Sequence, residues 1–199
     1  MSSHHFVKEG QEPAILIIDP ISHELIEPLL EWAPLVMVYD HSLDRVLESG
    51  IKIDVVIAIK RKTEDLTDHL KDQMPVKILS MLPSEDPLEK CIQFLTTSKQ
   101  AALNIICAKP TDIMHAIDKF NPPMNVSVLT PSIRWSLIVS GVYKKWIPKS
   151  STLHIQGGTG VMIQSNSPEK IGVDEPIVAS EDGLIEISSS SRFWIGEEN

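Results

Sequence analysis

The stretch AILIIDPISHELIEPLLEWAPLVMVYD, residues 14–40, indicates the fold class of this chain. It begins with the apolar run AILIID, continues with a segment of helical periodicity, and ends with a second apolar run, LVMVYD. Apolar runs that alternate with amphipathic segments are typical of βαβ units, in which helices join parallel strands. The runs are apolar at nearly every position, so we expect both faces of each strand to be buried.

The same alternation continues to about residue 120. Three more apolar runs are each followed by an amphipathic segment: DVVIAI (54–59), VKILSM (76–81) and LNIICA (103–108). Ser42 is expected to cap one helix and Gly50 to end it. Pro87, directly after Asp86, is expected to begin another helix. The pattern predicts five strands and five helices, arranged as a doubly wound parallel sheet of the α/β class.

The pattern changes at FNPPMN, residues 120–125, because two consecutive prolines cannot continue a helix. Beyond this point the chain contains short β-like segments separated by turn-forming residues: VSVLT, RWSLIVS, TLHIQ, GVMIQS, PIVAS, LIEIS and RFWI. Such a series is typical of a small antiparallel β-sandwich or barrel. We predict two domains, a nucleotide-binding-like α/β domain over residues 1–121 and a β-sandwich domain over residues 122–199.

The composition argues against several classes of protein. Hydrophobic residues make up 42% of the 199 residues and charged residues 23%, which is the balance of a folded globular chain. The net charge of −9 argues against a nucleic-acid partner, since that binding requires clustered Lys and Arg. No apolar run approaches the roughly 20 residues that span a bilayer, and the first residues lack the apolar stretch of a secretion signal. We therefore expect no membrane partner and a cytoplasmic location, with Cys91 and Cys107 as free thiols inside apolar runs.

Three motifs in the α/β part resemble those of a known family. Asp40 follows the second apolar run and leads into LDRVLESGIKIDVVIAIKRK, which resembles a family pattern written l-gi-PD-vi-GDFDS. SEDPLEKCIQFL is similar to the pattern DETDLEKAI, and NIICAKPTDIMHAIDKF is similar to GalGGRLDHtlaN. The order and spacing of these motifs resemble those of the thiamine pyrophosphokinases, and the resemblance extends over nearly the whole chain.

This resemblance implies both a fold and an activity. Thiamine pyrophosphokinases join an α/β domain to a small β-sandwich, and they form homodimers whose active sites lie between domains of the two subunits. They use ATP and Mg²⁺ to convert thiamine into thiamine diphosphate, with AMP as the second product. At matching positions this chain has Asp40, Asp54 and His115, and Ser165-Asn166 resembles the family's SN pair near thiamine.

Several residues differ at the positions that the family uses for metal and phosphate. Where the family has GDFDS, the chain has AIKRK, so that a basic patch of Lys60-Arg61-Lys62 replaces the acids. Where the family has GGRLDH, the chain has KPTDIMH, which keeps the histidine and introduces Asp112. The first apolar run ends in Asp19-Pro20 instead of a glycine, and proline offers no N–H to a phosphate.

Three functions are compatible with this pattern. The first is a degenerate thiamine pyrophosphokinase-like protein that binds at most a nucleotide- or thiamine-type ligand, with these candidate ligand-binding residues: Lys60, Arg61, Lys62, His115, Ser165 and Asn166. The second is an active diphosphokinase in which displaced carboxylates hold the Mg²⁺ of ATP: Asp40, Asp54, Asp86 and Asp112. The third is a non-enzymatic, dimeric interaction module in which the basic patch contacts an acidic partner. For the patch itself, a solvated run of charges is a separate alternative.

Overall fold

The helices and strands fall into two compact units, Met1–Pro131 and Ser132–Asn199. The structure is a computed structural model that describes residues 12–19, 22–60, 63–165 and 176–198.

The first unit contains a six-stranded sheet in which every neighbouring pair is parallel. Its strands are β1 (Ala14–Ile17), β2 (Val36–Tyr39), β3 (Val55–Ile59), β4 (Lys77–Met81), β5 (Ala102–Ile106) and β6 (Asn125–Leu129). Their order across the sheet is β6-β5-β1-β2-β3-β4. All residues of β1 and β2 are buried, as expected for strands covered by helices on both faces.

Five α-helices connect these strands: α1 (His23–Leu30), α2 (Leu43–Glu48), α3 (Thr63–His69), α4 (Pro87–Thr97) and α5 (Pro110–Phe120). Short 3-10 turns, Asp40–Ser42 and Lys71–Gln73, lie before α2 and after α3. Gly50 follows α2 with a φ of 69°, a backbone conformation that glycine adopts without strain. Pro87 begins α4, as the sequence predicted. None of the described helices is long and apolar enough to cross a lipid bilayer.

The order of the strands creates a switch point between β1 and β5. From β1 the chain runs outward through β2, β3 and β4, and it then returns to place β5 on the other side of β1. In doubly wound sheets, ligands bind outside the carboxyl ends of the strands at such a point. The predicted doubly wound fold is therefore present, and a ligand site is expected where the end of β1 lies beside the end of β5.

The strand β6 differs from the sequence-based expectation. Its segment was expected in the antiparallel domain, but it pairs in parallel with β5, from Ala102 opposite Asn125 to Ile106 opposite Leu129. The prolines at 122 and 123 stop α5 without ending the α/β unit, since α5 serves as one more crossover helix. The first unit accordingly ends at Pro131, whereas the predicted α/β domain ended at Asn121.

The second unit consists of antiparallel strands in two sheets. One sheet contains β11 (Ile177–Val178), β9 (Thr152–Gly157), β13 (Phe193–Glu198) and β7 (Ile133–Ile138). The other contains β10 (Met162–Ser165), β12 (Gly183–Ser188) and β8 (Val142–Ile147). Buried side chains from both sheets form one core: Tyr143, Ile147, Leu153, Ile177, Ile185, Ile187, Phe193 and Ile195. The predicted small antiparallel β-sandwich is therefore present.

Candidate functional site

Polar residues follow the carboxyl ends of most strands of the parallel sheet. Because the strands are parallel, the residues after them lie along a single edge, which we call the carboxyl edge. In the order of the strands across the sheet, this edge carries Lys109 after β5 and Asp112 in the first turn of α5, then Asp19 after β1, Asp40 and His41 after β2, Lys60 after β3, and Asp86 between β4 and α4.

The chain after β1 is held from both sides at the switch point. Towards β5, the Ile18 N–H donates to the Ile106 carbonyl at 2.9 Å. On the β2 side, the hydroxyl of Ser42 donates to the Ile18 carbonyl at 2.5 Å. Ser42 is completely buried and makes no side-chain bond to its own helix, so it fixes this loop and does not act as the predicted side-chain cap.

The carboxylate of Asp19 crosses the switch point. The Ala108 N–H donates to Asp19 Oδ2 at 2.9 Å. At the next residue, the Lys109 N–H lowers the pKa of the Cys107 thiol, and Pro110 has no N–H. A phosphate usually binds to backbone N–H groups in this type of sheet. Of the three residues that follow Cys107, Ala108 has its N–H engaged by Asp19 and Pro110 has none.

The thiol of Cys107 is kept protonated at this position. The side chain is buried, and burial together with the nearby charge of Asp19 raises its pKa to about 12, although the Lys109 N–H acts in the opposite direction. The nucleophilic form of cysteine is the thiolate. Cys107 is therefore unsuited to covalent catalysis near neutral pH.

The end of β2 carries an aromatic pair. The rings of Tyr39 and His41 meet edge-on with 5.8 Å between their centroids. Within the described part of the chain, the buried hydroxyl of Tyr39 has no hydrogen-bond partner. Burial raises the pKa of Tyr39 far above its usual range, and the nearby Cys91 and Asp86 add to this shift. Tyr39 therefore stays neutral and is available only as a hydrogen-bonding group.

Asp54 lies at the opposite edge of the sheet. It precedes β3, its carboxylate accepts the Val36 N–H at 2.9 Å, and its own N–H donates to the Val36 carbonyl at 3.0 Å. Tyr39 pairs with Ile57, so Asp40 lies about four residues further along the strands than Asp54. At the usual rise per residue, this separates the two carboxylate-bearing residues by about 13 Å along the strands. Asp54 therefore organises the start of β2 and does not join the carboxyl edge.

Asp86 is engaged by the backbone of α4. Its carboxylate accepts the N–H groups of Leu88 at 2.8 Å and Glu89 at 3.1 Å, which makes it the N-cap of the helix. The preceding Glu85 accepts the Leu82 N–H at 2.6 Å, and this bond holds the pKa of Glu85 below its ordinary value. The Asp-Pro signal in the sequence correctly marked the start of α4.

The other predicted site residues are distributed as follows. Asp112 and His115 are exposed on α5, three residues apart and so on one side of the helix. Lys60 is exposed directly after β3, and Ser165 ends β10. Arg61, Lys62 and Asn166 lie outside the described residues. The described residues contain no group of three or more His, Cys, Asp or Glu side chains placed to hold a metal ion.

A second polar cluster lies within the β-sandwich unit. Glu197 accepts the hydroxyl of Tyr143 at 3.1 Å and pairs with Lys145, while Glu198 contacts His154 at 3.2 Å. Burial, followed by the charge of Glu197, raises the pKa of Tyr143 above its usual range. A cavity of about 300 Å³ beside this cluster is lined mainly by polar groups, including Lys145, Ser150, Ser151, Thr152, Glu197 and Glu198. The charges in this cluster are paired with one another.

The contacts that sequence reasoning missed are long-range. Ser42 and Ile18 are 24 residues apart, and Asp19 and Ala108 are 89 residues apart. The sequence did mark Asp19-Pro20 as unfavourable for phosphate, but it gave no sign of which group the carboxylate would contact. Only the order of the strands, with β5 beside β1, brings the two segments together.

No model of a known protein family matches the chain, and no curated protein matches it in sequence. Its structure is nevertheless similar to solved thiamine pyrophosphokinases. The Bacillus subtilis enzyme aligns with a TM-score of 0.63 at 9% identity, over 94% of this chain and 98% of that one. The yeast enzyme aligns with a TM-score of 0.65 at 11% identity, over 96% and 87%. The Candida albicans enzyme aligns with a TM-score of 0.62 at 10% identity, over 94% and 89%. The chain therefore has the fold of the thiamine pyrophosphokinases, as its motifs predicted.

Proposed function

We propose that this chain is a thiamine pyrophosphokinase-like protein that has lost diphosphoryl transfer and retains the binding of a thiamine- or nucleotide-type ligand. The observation that carries this proposal is the dispersal of the carboxylates that would have to hold Mg²⁺. Asp54 bonds to the start of β2 at the opposite edge of the sheet, and Asp86 is engaged as the cap of α4.

The dispersal argues against turnover for a simple geometric reason. Oxygen ligands bind Mg²⁺ at about 2.1 Å, so the carboxylates that share one ion must lie within a few ångströms of each other. Asp40 and Asp54 are separated by about 13 Å along the strands. Mg²⁺ and ATP would be cofactors only if the protein were an active diphosphokinase. In that case Asp40 and Asp112 would have to act without Asp54.

The ligand-binding residues in this proposal are chosen on two grounds: the resemblance of the sequence to thiamine pyrophosphokinases and the exposure of the side chains. Lys60 and His115 are exposed on the α/β unit, at the end of β3 and on α5. With Arg61, Lys62, Ser165 and Asn166 they form the candidate ligand-binding set. A thiamine-type ligand carries a cationic ring, which suits an edge where acidic side chains such as Asp19 and Asp40 are close to the surface.

We further propose that the protein acts as a cytoplasmic homodimer. Both cysteines are free and buried, which suits a reducing compartment. On the three-stranded sheet of the second unit, four apolar side chains are more than 40% exposed: Val142, Trp146, Met162 and Leu184. This exposed apolar face also favours the third candidate function, a non-enzymatic interaction module, because such faces mark protein contacts.

Calorimetry distinguishes these functions. ATP with Mg²⁺ is titrated into the protein with excess thiamine, thiamine is titrated alone, and AMP is measured afterwards. We expect saturable heat without AMP. Sustained heat with AMP would instead establish an active diphosphokinase, and no heat with either compound would leave the interaction module. The yeast enzyme is the positive control.

The same titration tests the ligand contacts. Lys60→Ala should lower the affinity for an anionic ligand about tenfold if Lys60 makes a charge-assisted bond to that ligand. Lys71→Ala is the matched control, because Lys71 is also an exposed lysine of the first unit and pairs with Asp68 at 2.9 Å. Equal effects of the two substitutions would exclude a specific role for Lys60.

A further inference from the structure

The backbone around Asp19 leaves its carboxylate little freedom. The Ile18 and Asp19 N–H groups both point to the Ile106 carbonyl, at 2.9 Å and 3.4 Å. The buried hydroxyl of Ser42 holds the Ile18 carbonyl from the other side. The carboxylate therefore leaves a fixed backbone and reaches the Ala108 N–H on the neighbouring strand connection.

The position that Asp19 occupies is where a bound anion would be stabilised. It lies at the carboxyl ends of β1 and β5, directly before the N-terminus of α5, and both features favour negative charge. The carboxylate oxygen accepts a backbone N–H there at 2.9 Å, as a phosphate oxygen would. Pro110, the first residue of α5, has no N–H to offer.

We propose that Asp19 is an internal anion that takes the place of a phosphate at the switch point and excludes phosphorylated ligands from it. A phosphate entering this position would have to displace the carboxylate from Ala108 and then remain beside its negative charge. The ligand of the carboxyl edge therefore carries no phosphate at the switch point. This last step rests on the function proposed above, whereas the exclusion of phosphate does not.

The exclusion of phosphate applies only to the switch point. Lys60 follows β3, two strands from β1, which is about 10 Å at the usual strand spacing. An anion bound near Lys60 would therefore not contact Ala108. For this reason the test needs a signal from Ala108 itself as well as a binding constant.

The test is a titration of inorganic diphosphate into ¹⁵N-labelled protein while the amide signal of Ala108 is followed. In the wild-type protein this signal should not respond. In Asp19→Ala, which frees the Ala108 N–H, it should move and saturate, with an affinity at least about tenfold tighter than in the wild type. Diphosphate should also raise the melting temperature of Asp19→Ala more than that of the wild type.

Two further variants keep the test decisive. Asp112→Asn removes one negative charge from the first turn of α5 without freeing an N–H, and it should behave like the wild type. Asp19→Asn keeps an oxygen for Ala108 but loses the charge; it should fold even if Asp19→Ala does not, and bind diphosphate at least about threefold tighter than the wild type.

Three results would overturn the proposal. The first is saturation of the wild-type Ala108 signal at the same diphosphate concentration as in Asp19→Ala. The others are an equal gain in diphosphate affinity in Asp112→Asn, or no gain in diphosphate affinity in any folded Asp19 variant. Failure of thiamine to bind to the wild type would count against the proposed function alone, because the diphosphate titration does not depend on it.

Discussion

Ser42 fixes the switch point through a single hydroxyl group. Its Oγ donates to the Ile18 carbonyl at 2.5 Å in a fully buried environment. Removal of the hydroxyl would leave that carbonyl buried without this donor, and a buried polar group that loses its partner costs more than an exposed one. The geometry of Asp19, one residue further along, depends on the same contact.

We predict that Ser42→Ala lowers the free energy of unfolding by about 1–3 kcal/mol, the range for a buried group that loses its partner. Urea unfolding followed by circular dichroism measures this change. Ser49→Ala is the matched control, because the exposed Ser49 hydroxyl donates to the Arg45 carbonyl at 2.9 Å within its own helix end. The control should lose less than about 0.5 kcal/mol. Equal losses in the two variants would contradict the role assigned to Ser42.

Contacts of this kind are beyond the reach of sequence patterns. A side-chain cap acts on residues two or three positions away, so Ser42 could be assigned locally only as a cap. Its actual acceptor belongs to a different strand connection, 24 residues earlier. Asp54 shows the same limit, because its position before a strand is visible in the sequence but its bond to the start of β2 is not.

At the level of elements, α4 shows why a carboxylate that matches a family motif can serve structure instead. Asp86 accepts two N–H groups of the first helical turn, and Pro87 supplies the fixed φ that suits the first position. Its charge also lies at the positive end of the helix dipole. These interactions explain Asp86 without any ligand.

We predict that Asp86→Ala destabilises the protein by about 1 kcal/mol, whereas Asp86→Asn changes stability by only a few tenths, since asparagine is an equally good N-cap. Chemical denaturation measures both changes. Asp86→Asn should also leave ligand affinity unchanged, because it keeps the cap and removes only the charge. A stable Asp86→Asn protein with at least about tenfold weaker ligand binding would show that the charge serves the site.

The elements that could be predicted are those with local signals. The apolar runs identified β1 to β5, and Gly50 and Pro87 marked helix ends, because these features depend on the residues themselves and their immediate neighbours. The segment of β6 was predicted as a strand but was assigned to the antiparallel domain. The direction of a strand depends on the connection before it. The two prolines after α5 suggested a domain boundary, whereas α5 is the crossover helix that makes β6 parallel to β5.

At the scale of the whole molecule, the outer face of the three-stranded sheet is built in a way that suits self-association. Trp146 lies opposite Leu184 at one end of the face. At the other end Ser188 on β12 lies between Val142 on β8 and Met162 on β10. Between these apolar groups Lys144 pairs with Glu186 at 2.9 Å. A two-fold axis through this central pair would bring unlike charges and apolar groups of two copies together, as an interface formed by the same patch on both subunits requires.

We predict that the protein is a dimer at micromolar concentration and that Trp146→Glu converts it to a monomer, because a charge would be buried in the apolar part of the interface. Light scattering coupled to size-exclusion chromatography measures the mass. Trp32→Glu is the matched control, since Trp32 is 64% exposed on the first unit and Trp146 is 59% exposed on the second. The control should remain dimeric, and circular dichroism should be unchanged in both. A monomeric wild-type protein would reject the dimer itself. A dimeric Trp146→Glu protein would instead show that the interface does not include this face, so the two results contradict different parts of the prediction.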